Sequence, residues 1–199
     1  MTASRLVEHT HRPNYRVVRR SWADPLDASY SQTRSGNRWN TAGFPALYCC
    51  CSPWVARAVA LDVFRMAGVV LEDLQSAHRP QLVEISWAGR VVDVASAEGV
   101  AAAGFPPQYP GGVSKEQTRR FAATCHEAAA EGIVCRSASL ARMGFSAWTG
   151  THAPWGELAI FTQNCQRPPR LLRCREDVEW FLRPAVRGRI RGQFRLSPD

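Results

Sequence analysis

An unbroken apolar run from Ala46 to Cys51 passes straight into Ser52-Pro53, so a buried strand must hand over to a helix with no loop between them. A short apolar run of this kind fits a strand covered by the rest of the fold. Ser52 supplies an N-cap and Pro53 the proline that the first helical position tolerates. Val55, Ala56, Val59, Ala60, Val63 and Phe64 then repeat at helical spacing until Gly68.

The remaining elements are placed by the same kind of signal. Tyr15 to Arg20 reads as a strand with basic residues on both faces, and Ala23 to Gly43, rich in Asp, Ser, Asn, Thr and Gly, as a long ordered loop of the sort that often binds ligands. Gln81 to Trp87 alternates and Val91 to Val94 follows a Gly-Arg turn, which predicts a hairpin. Ala95 to Gly112 reads as a loop, Ser114 to Glu131 as an amphipathic helix stopped by Gly132, and Ile133 to Cys135, Leu158 to Phe161 and Leu171 to Cys174 as strands. A short helix is expected over Glu176 to Leu182. Helices and strands mix without regular alternation, so the expected class is α+β: one compact domain with a mixed sheet and flanking helices. Its limits are taken as 15–182, after an extension over 1–14 and before an arginine-rich segment over 183–199.

Several functions are excluded or disfavoured. No window approaches the roughly 18 apolar residues of a membrane helix, and the first residues lack the apolar centre of a signal peptide, so a cytoplasmic location is expected. The seven cysteines are odd in number, and Cys49, Cys50 and Cys51 are consecutive. Neighbouring strand residues point to opposite faces, so these three cannot converge on a metal, and the cysteines are read as small buried hydrophobes. His9 and His11 fall in a terminal segment expected to be mobile, and His126 and His152 lack partners at ligand spacing, so no metal is expected. The net charge is +8, almost all from arginine, with Lys115 the only lysine. Arg183, Arg187, Arg189, Arg191 and Arg195 concentrate it at the end, but no base-stacking or groove-reading pattern accompanies them, which argues against nucleic acid.

The chemistry is carried by a few positions. Arg38 lies between Gly36 and Gly43, and Arg16 lies on the preceding strand, where guanidiniums can offer paired donors to phosphate. Tyr48 on the apolar strand can stack on a ring. Ser137 follows a buried strand but has no nucleophile elbow around it, so orienting a substrate suits it better than attack. No glycine-rich phosphate loop is present, which leaves any nucleotide to the arginines.

Taken in order, Tyr15-Arg16-Val17, Gly36-Asn37-Arg38-Trp39-Asn40 with Gly43, Ala46-Leu47-Tyr48, Ser52-Pro53 with Ala56, Val91 to Val94, Gln117-Thr118, Glu131 to Ser137 and Glu157 to Phe161 make the chain resemble the RES domain family. The resemblance runs from about Tyr15 to Cys174. It implies an ADP-ribosyltransferase-like fold and an enzyme, a toxin of a bacterial toxin–antitoxin pair, that consumes NAD by cleaving its nicotinamide–ribose bond. The acceptor would be water, phosphate or a target protein that becomes ADP-ribosylated, and a cognate antitoxin would be the silencing partner. Carried over, Arg16 and Arg38 become the cations on the pyrophosphate, Tyr48 the pocket tyrosine and Ser137 the serine. The family's glutamate falls at Val59, which cannot stabilise a developing cation. Asp62, one turn on, is the expected substitute, with Glu157 the other candidate, and the alternative is a nucleotide-binding or protein-binding domain with weakened catalysis.

Overall fold

A computed structural model of the protein describes residues 4–10, 13–33, 36–70, 73–146 and 155–176. Its strands are β1 (Leu6–His9), β2 (Asn14–Arg19), β3 (Leu47–Cys50), β4 (Pro80–Ser86), β5 (Gly89–Val94), β6 (Gly132–Arg136), β7 (Gly156–Ile160) and β8 (Arg170–Arg175). Its helices are α1 (Pro53–Ala67), α2 (Ala97–Ala102), α3 (Lys115–Glu127) and α4 (Ala138–Arg142). The strands form one mixed sheet in the order β1-β5-β6-β7-β3-β2-β4-β8, in which β5 and β6 are the parallel pair, and with the helices they make an α+β fold.

The strand-to-helix passage forms as the sequence predicts. The Ser52 hydroxyl accepts a hydrogen bond from the Val55 N–H at the start of α1, and Gly68 closes the helix in the left-handed region at φ 64°. The expected α3 opens with a reciprocal cap, in which Ser114 accepts from the Gln117 N–H while the Gln117 side chain accepts from the Ser114 N–H.

Burial divides the sheet into two unlike faces. On one, Leu47, Cys49, Val83, Val91, Val134 and Leu158 form a cluster to which no helical residue among those described contributes, and the loop carrying Trp22 and Leu26 packs against it. The other face carries two separate clusters. Trp39, Phe44, Ile133 and Phe161 pack with Ala122 and Cys125 of α3. Cys50 and Leu82 pack with Val55 and Ala56 of α1 and Leu140 of α4.

Four local expectations are corrected. β4 and β5 do not pair as a hairpin: β4 lies between β2 and β8, and β5 between β1 and β6. The short link is a corner pinned by buried Trp87, whose carbonyl accepts from Asn14 Nδ2 at 3.3 Å and whose ring stacks on His9. His9 is therefore a buried residue of β1, joined to Asn14 Oδ1 at 3.0 Å, rather than part of a mobile end. The stretch after Val94 is not all loop, because the Ser96 hydroxyl accepts from the Gly99 N–H and starts α2. Helix α3 ends at Glu127, and Gly132 instead opens β6, where a Cβ would lie 2.5 Å from the Ala159 carbonyl oxygen. Glu131 between them is buried, its carboxylate accepting from the N–H groups of Arg90 at 2.7 Å and Gln166 at 2.8 Å.

Among the cysteines, Cys49, Cys50, Cys51, Cys125 and Cys135 are buried, but Cys174 on β8 is exposed and Cys165 partly so. The expected helix over Glu176 to Leu182 falls almost wholly outside the described residues, as do the arginine-rich segment, His11 and His152.

The end of β6 is held by Arg136, which is 6% exposed. Its Nε donates to the Ala95 carbonyl at 2.9 Å, and Nη1 donates to those of Pro107 and Tyr109 at 2.9 and 3.0 Å. Arg136→Ala is expected to cost about 2–4 kcal/mol in urea denaturation, because three carbonyls lose a charged donor. A loss under about 0.5 kcal/mol would show that these contacts do not carry the 95–109 segment.

Candidate functional site

Along the two central strands burial is interrupted at two positions. Every residue of β3 is buried except Tyr48, and every residue of β7 except Glu157. Cys50 pairs with Glu157 and Tyr48 with Ala159, so Tyr48 and Glu157 emerge on the same face. That face carries the two separate clusters. Tyr48 packs against the one under α3, and Cys50 belongs to the one under α1, so the opening lies between them.

Arg38 reaches this opening from the loop before β3. Gly36 has φ 69°, and a Cβ there would lie 2.3 Å from the Asn40 carbonyl oxygen, so the bend requires glycine. Asn40 is fully buried. Its Nδ2 donates to the carbonyls of Ser31 and Phe44 at 2.9 and 3.0 Å, and its Oδ1 accepts from the Asn37 N–H at 3.2 Å and the Tyr48 hydroxyl at 2.8 Å. The Tyr48 oxygen in turn accepts from the Trp39 N–H at 2.9 Å. Both neighbours of Arg38 are thereby pinned. Its Nη1 is buried and has no hydrogen-bond partner among the described residues. An unsatisfied buried guanidinium nitrogen is costly unless something else accepts from it.

Ser137 caps α4, accepting from the Leu140 N–H at 3.2 Å, and its hydroxyl donates to Glu157 Oε1 at 2.7 Å. Burial pushes the Glu157 carboxyl above its ordinary value, while the Ser137 hydroxyl, the Arg38 charge, the Ala138 backbone and Arg142 pull it back. Burial also raises Tyr48, which stays neutral and has its hydroxyl committed to the loop. What the site offers a ligand is therefore a cation, an aromatic ring and one carboxylate with a hydroxyl fixed against it.

Arg16 does not join this group. Tyr15 pairs with Cys50, so alternation turns Arg16 to the opposite face of β2, toward Cys49. There its Nη1 donates to the carbonyls of Pro25 at 3.0 Å and Asp27 at 3.3 Å, and its guanidinium lies 5.2 Å from the Trp22 ring centre. The expected pairing of Arg16 with Arg38 is thus replaced by a loop clamp.

Val59 packs against the cluster under α1. Asp62 is buried, its Oδ2 accepting from Arg142 and from the Ser139 hydroxyl at 3.0 Å, and its Oδ1 accepting from Arg65 at 2.9 Å. Burial works to raise this carboxyl, but the hydrogen bonds from Arg142, Arg65 and Ser139 outweigh it and hold the pKa at about 2. The structure thus places Asp62 as the tie between α1 and α4, whereas Glu157 is the carboxylate set against Ser137.

Sequence spacing missed Arg119 of α3, whose side chain holds the loop carrying Arg38 from more than eighty positions away. The adjoining Gln117-Thr118 pair marks the helix but says nothing of this contact. Trp39 Nε1 likewise donates to Cys135 Sγ at 3.1 Å, tying the same loop to β6.

A family model described as "RES domain" matches residues 13–178. No curated protein matches the chain. Among solved structures, the crystal structure of the M. tuberculosis MbcT–MbcA toxin–antitoxin complex contains a similar chain at 16% identity, with a TM-score of 0.64 and 82% of each chain covered. At that identity the likeness establishes a shared fold.

Because Asp62 ionises more readily folded than unfolded, it adds stability at neutral pH that is lost as pH falls from about 4 toward 2. Asp62→Asn is expected to cost roughly 1–2 kcal/mol at pH 7, or about 3–6 °C in Tm, with the difference from wild type closing toward pH 2. A gap that stays constant across that range would mean that the Asp62 charge is not what joins the helices.

Proposed function

The chain belongs to the RES domain family, and from that premise and the grouping of Arg38, Tyr48, Ser137 and Glu157 we propose that it cleaves the nicotinamide–ribose bond of NAD. The observation that supports this most is the Glu157 carboxylate, fixed by Ser137 and within range of the Arg38 charge, at the opening in the centre of the sheet.

In this reading Arg38 holds the diphosphate, which satisfies its buried Nη1. The Tyr48 ring packs against the nicotinamide ribose, since its hydroxyl is already engaged. As the bond from C1′ to the pyridinium nitrogen breaks, its electron pair leaves with nicotinamide and positive charge grows on the ribose. Ionised Glu157 faces that charge, and the Ser137 hydroxyl keeps one carboxylate oxygen in place while the other is directed at the ribose. The acceptor that then bonds to C1′ is water, phosphate or a side chain of a target protein, all of which share this cleavage step. Asp62 and Val59 take no part in the chemistry. A cognate antitoxin that covers the opening is the proposed partner, in keeping with the fold shared with a chain of a toxin–antitoxin complex.

The second reading, a domain that binds the nucleotide without cleaving it, is favoured by Val59, an apolar residue where the family resemblance calls for glutamate.

Release of nicotinamide from NAD by the purified protein, with and without phosphate, separates the two. Glu157→Gln is expected to lower kcat about 10²–10³-fold, as removal of a positioned charge at a reacting centre does. Burial lifts the Glu157 pKa, so the carboxylate is lost as pH falls through a value above the ordinary carboxylate range, and the acid limb of the rate profile should fall there. Wild-type turnover in Glu157→Gln would sink this assignment, and NAD that raises Tm with no nicotinamide released would leave the binding domain.

A further inference from the structure

Arg119 projects from α3 onto the loop that carries Arg38. Its Nε donates to the Asn37 carbonyl at 2.9 Å and its Nη2 to the Gly36 carbonyl at 2.8 Å, so one planar fork holds two successive peptide units. The unit of the Asn37 carbonyl is the peptide bond that leads directly into Arg38. Because that unit is planar, holding its carbonyl oxygen constrains where the Arg38 N–H and Cα lie, and so the base from which its side chain extends.

The anchor behind the fork is firm. Phe121, Ala122 and Cys125 pack α3 onto the sheet, and the reciprocal cap of Ser114 and Gln117 secures its first turn. Lys115 lies one turn before Arg119, and after burial the charges of Arg119 and Arg38 are what lower its pKa. The nearest acid on that turn, Glu116, is paired with Arg120 at 2.8 Å. Lys115, Arg119 and Arg38 are thus close enough to repel one another, and what joins Arg119 to the loop is its hydrogen bonds to backbone carbonyls.

We propose that Arg119 is a positioning residue for the Arg38 guanidinium, keeping it aimed into the opening where the nucleotide's diphosphate would lie; the inference rests on the reading of Arg38 given above. Arg119 acts through the loop and does not itself reach the reacting atoms. Its role depends on the fork, because lysine supplies the same charge from a single nitrogen and cannot hold two carbonyls in a fixed plane.

The test compares wild type, Arg119→Ala, Arg119→Lys, Arg38→Ala and the Arg38→Ala/Arg119→Ala double variant, by nicotinamide release from NAD and by amide hydrogen exchange over residues 36–44. Arg119→Ala is expected to raise KM about tenfold or more with a smaller change in kcat, as loss of binding common to ground and transition states does. Arg119→Lys should fail to restore it, the double variant should be no worse than Arg38→Ala, and exchange over 36–44 should quicken in both Arg119 variants. Rescue by lysine, additive losses in the double variant, or unchanged exchange would each overturn the proposal. No nicotinamide release by wild type would remove the functional reading, and the role in reaction with it, while exchange would still report whether Arg119 clamps the loop.

Discussion

The fold depends on the antiparallel ladder between β3 and β7, the centre of the sheet, where Leu47 pairs with Ile160 and Cys50 with Glu157. Both strands must be covered on two sides, and the two sides are covered differently. One closes over strand and loop side chains in a continuous cluster, and the other is shared by α3 on one flank and α1 with α4 on the other. Two helical layers that do not merge leave a gap over the ladder, and polar residues are tolerated at the gap because water or a ligand can reach them. Glu157 and Tyr48 are where the ladder meets that gap, so the site follows from how the core is divided.

Local signals in the sequence reveal elements well and pairings poorly. The apolar run, the Ser52-Pro53 start and the Ser114 to Gln117 cap each act within a few residues, and each element they predict is present. The relation of β4 to β5 is set instead by Asn14 and His9, which hold the Trp87 corner from β1 and β2. No spacing near residue 87 carries that information. Helix α2 was hidden because its Ala and Gly content resembles a loop, although Ser96 provides a cap at the right place.

The site was legible to the same degree. Arg38, Tyr48 and Ser137 are candidates by their order along the chain, and the structure brings them to one face. Arg16 shows why order is insufficient: the register of β2 against β3 decides its face, and a shift of one residue would have reversed the outcome. Arg119 was out of reach because its contacts are with backbone carbonyls, which every residue has and no sequence pattern marks.

The source of the carboxylate has a mechanical consequence. A glutamate on α1 would approach the opening from a helix that carries exposed Val63 and Met66 on its outer side. Glu157 comes instead from a strand paired on both edges, with β3 and β6, and is held by Ser137 at the head of α4. A group on a doubly paired strand has less freedom to drift than one on a helix at the surface, and catalytic geometry tolerates only about 0.5 Å of error. Asp62 contributes from outside this arrangement: its pairing with Arg142 holds α4 against α1, and α4 begins at the serine that fixes Glu157. Asp62, the carboxylate expected to substitute for the family glutamate, thus supports the helix whose capping serine orients Glu157.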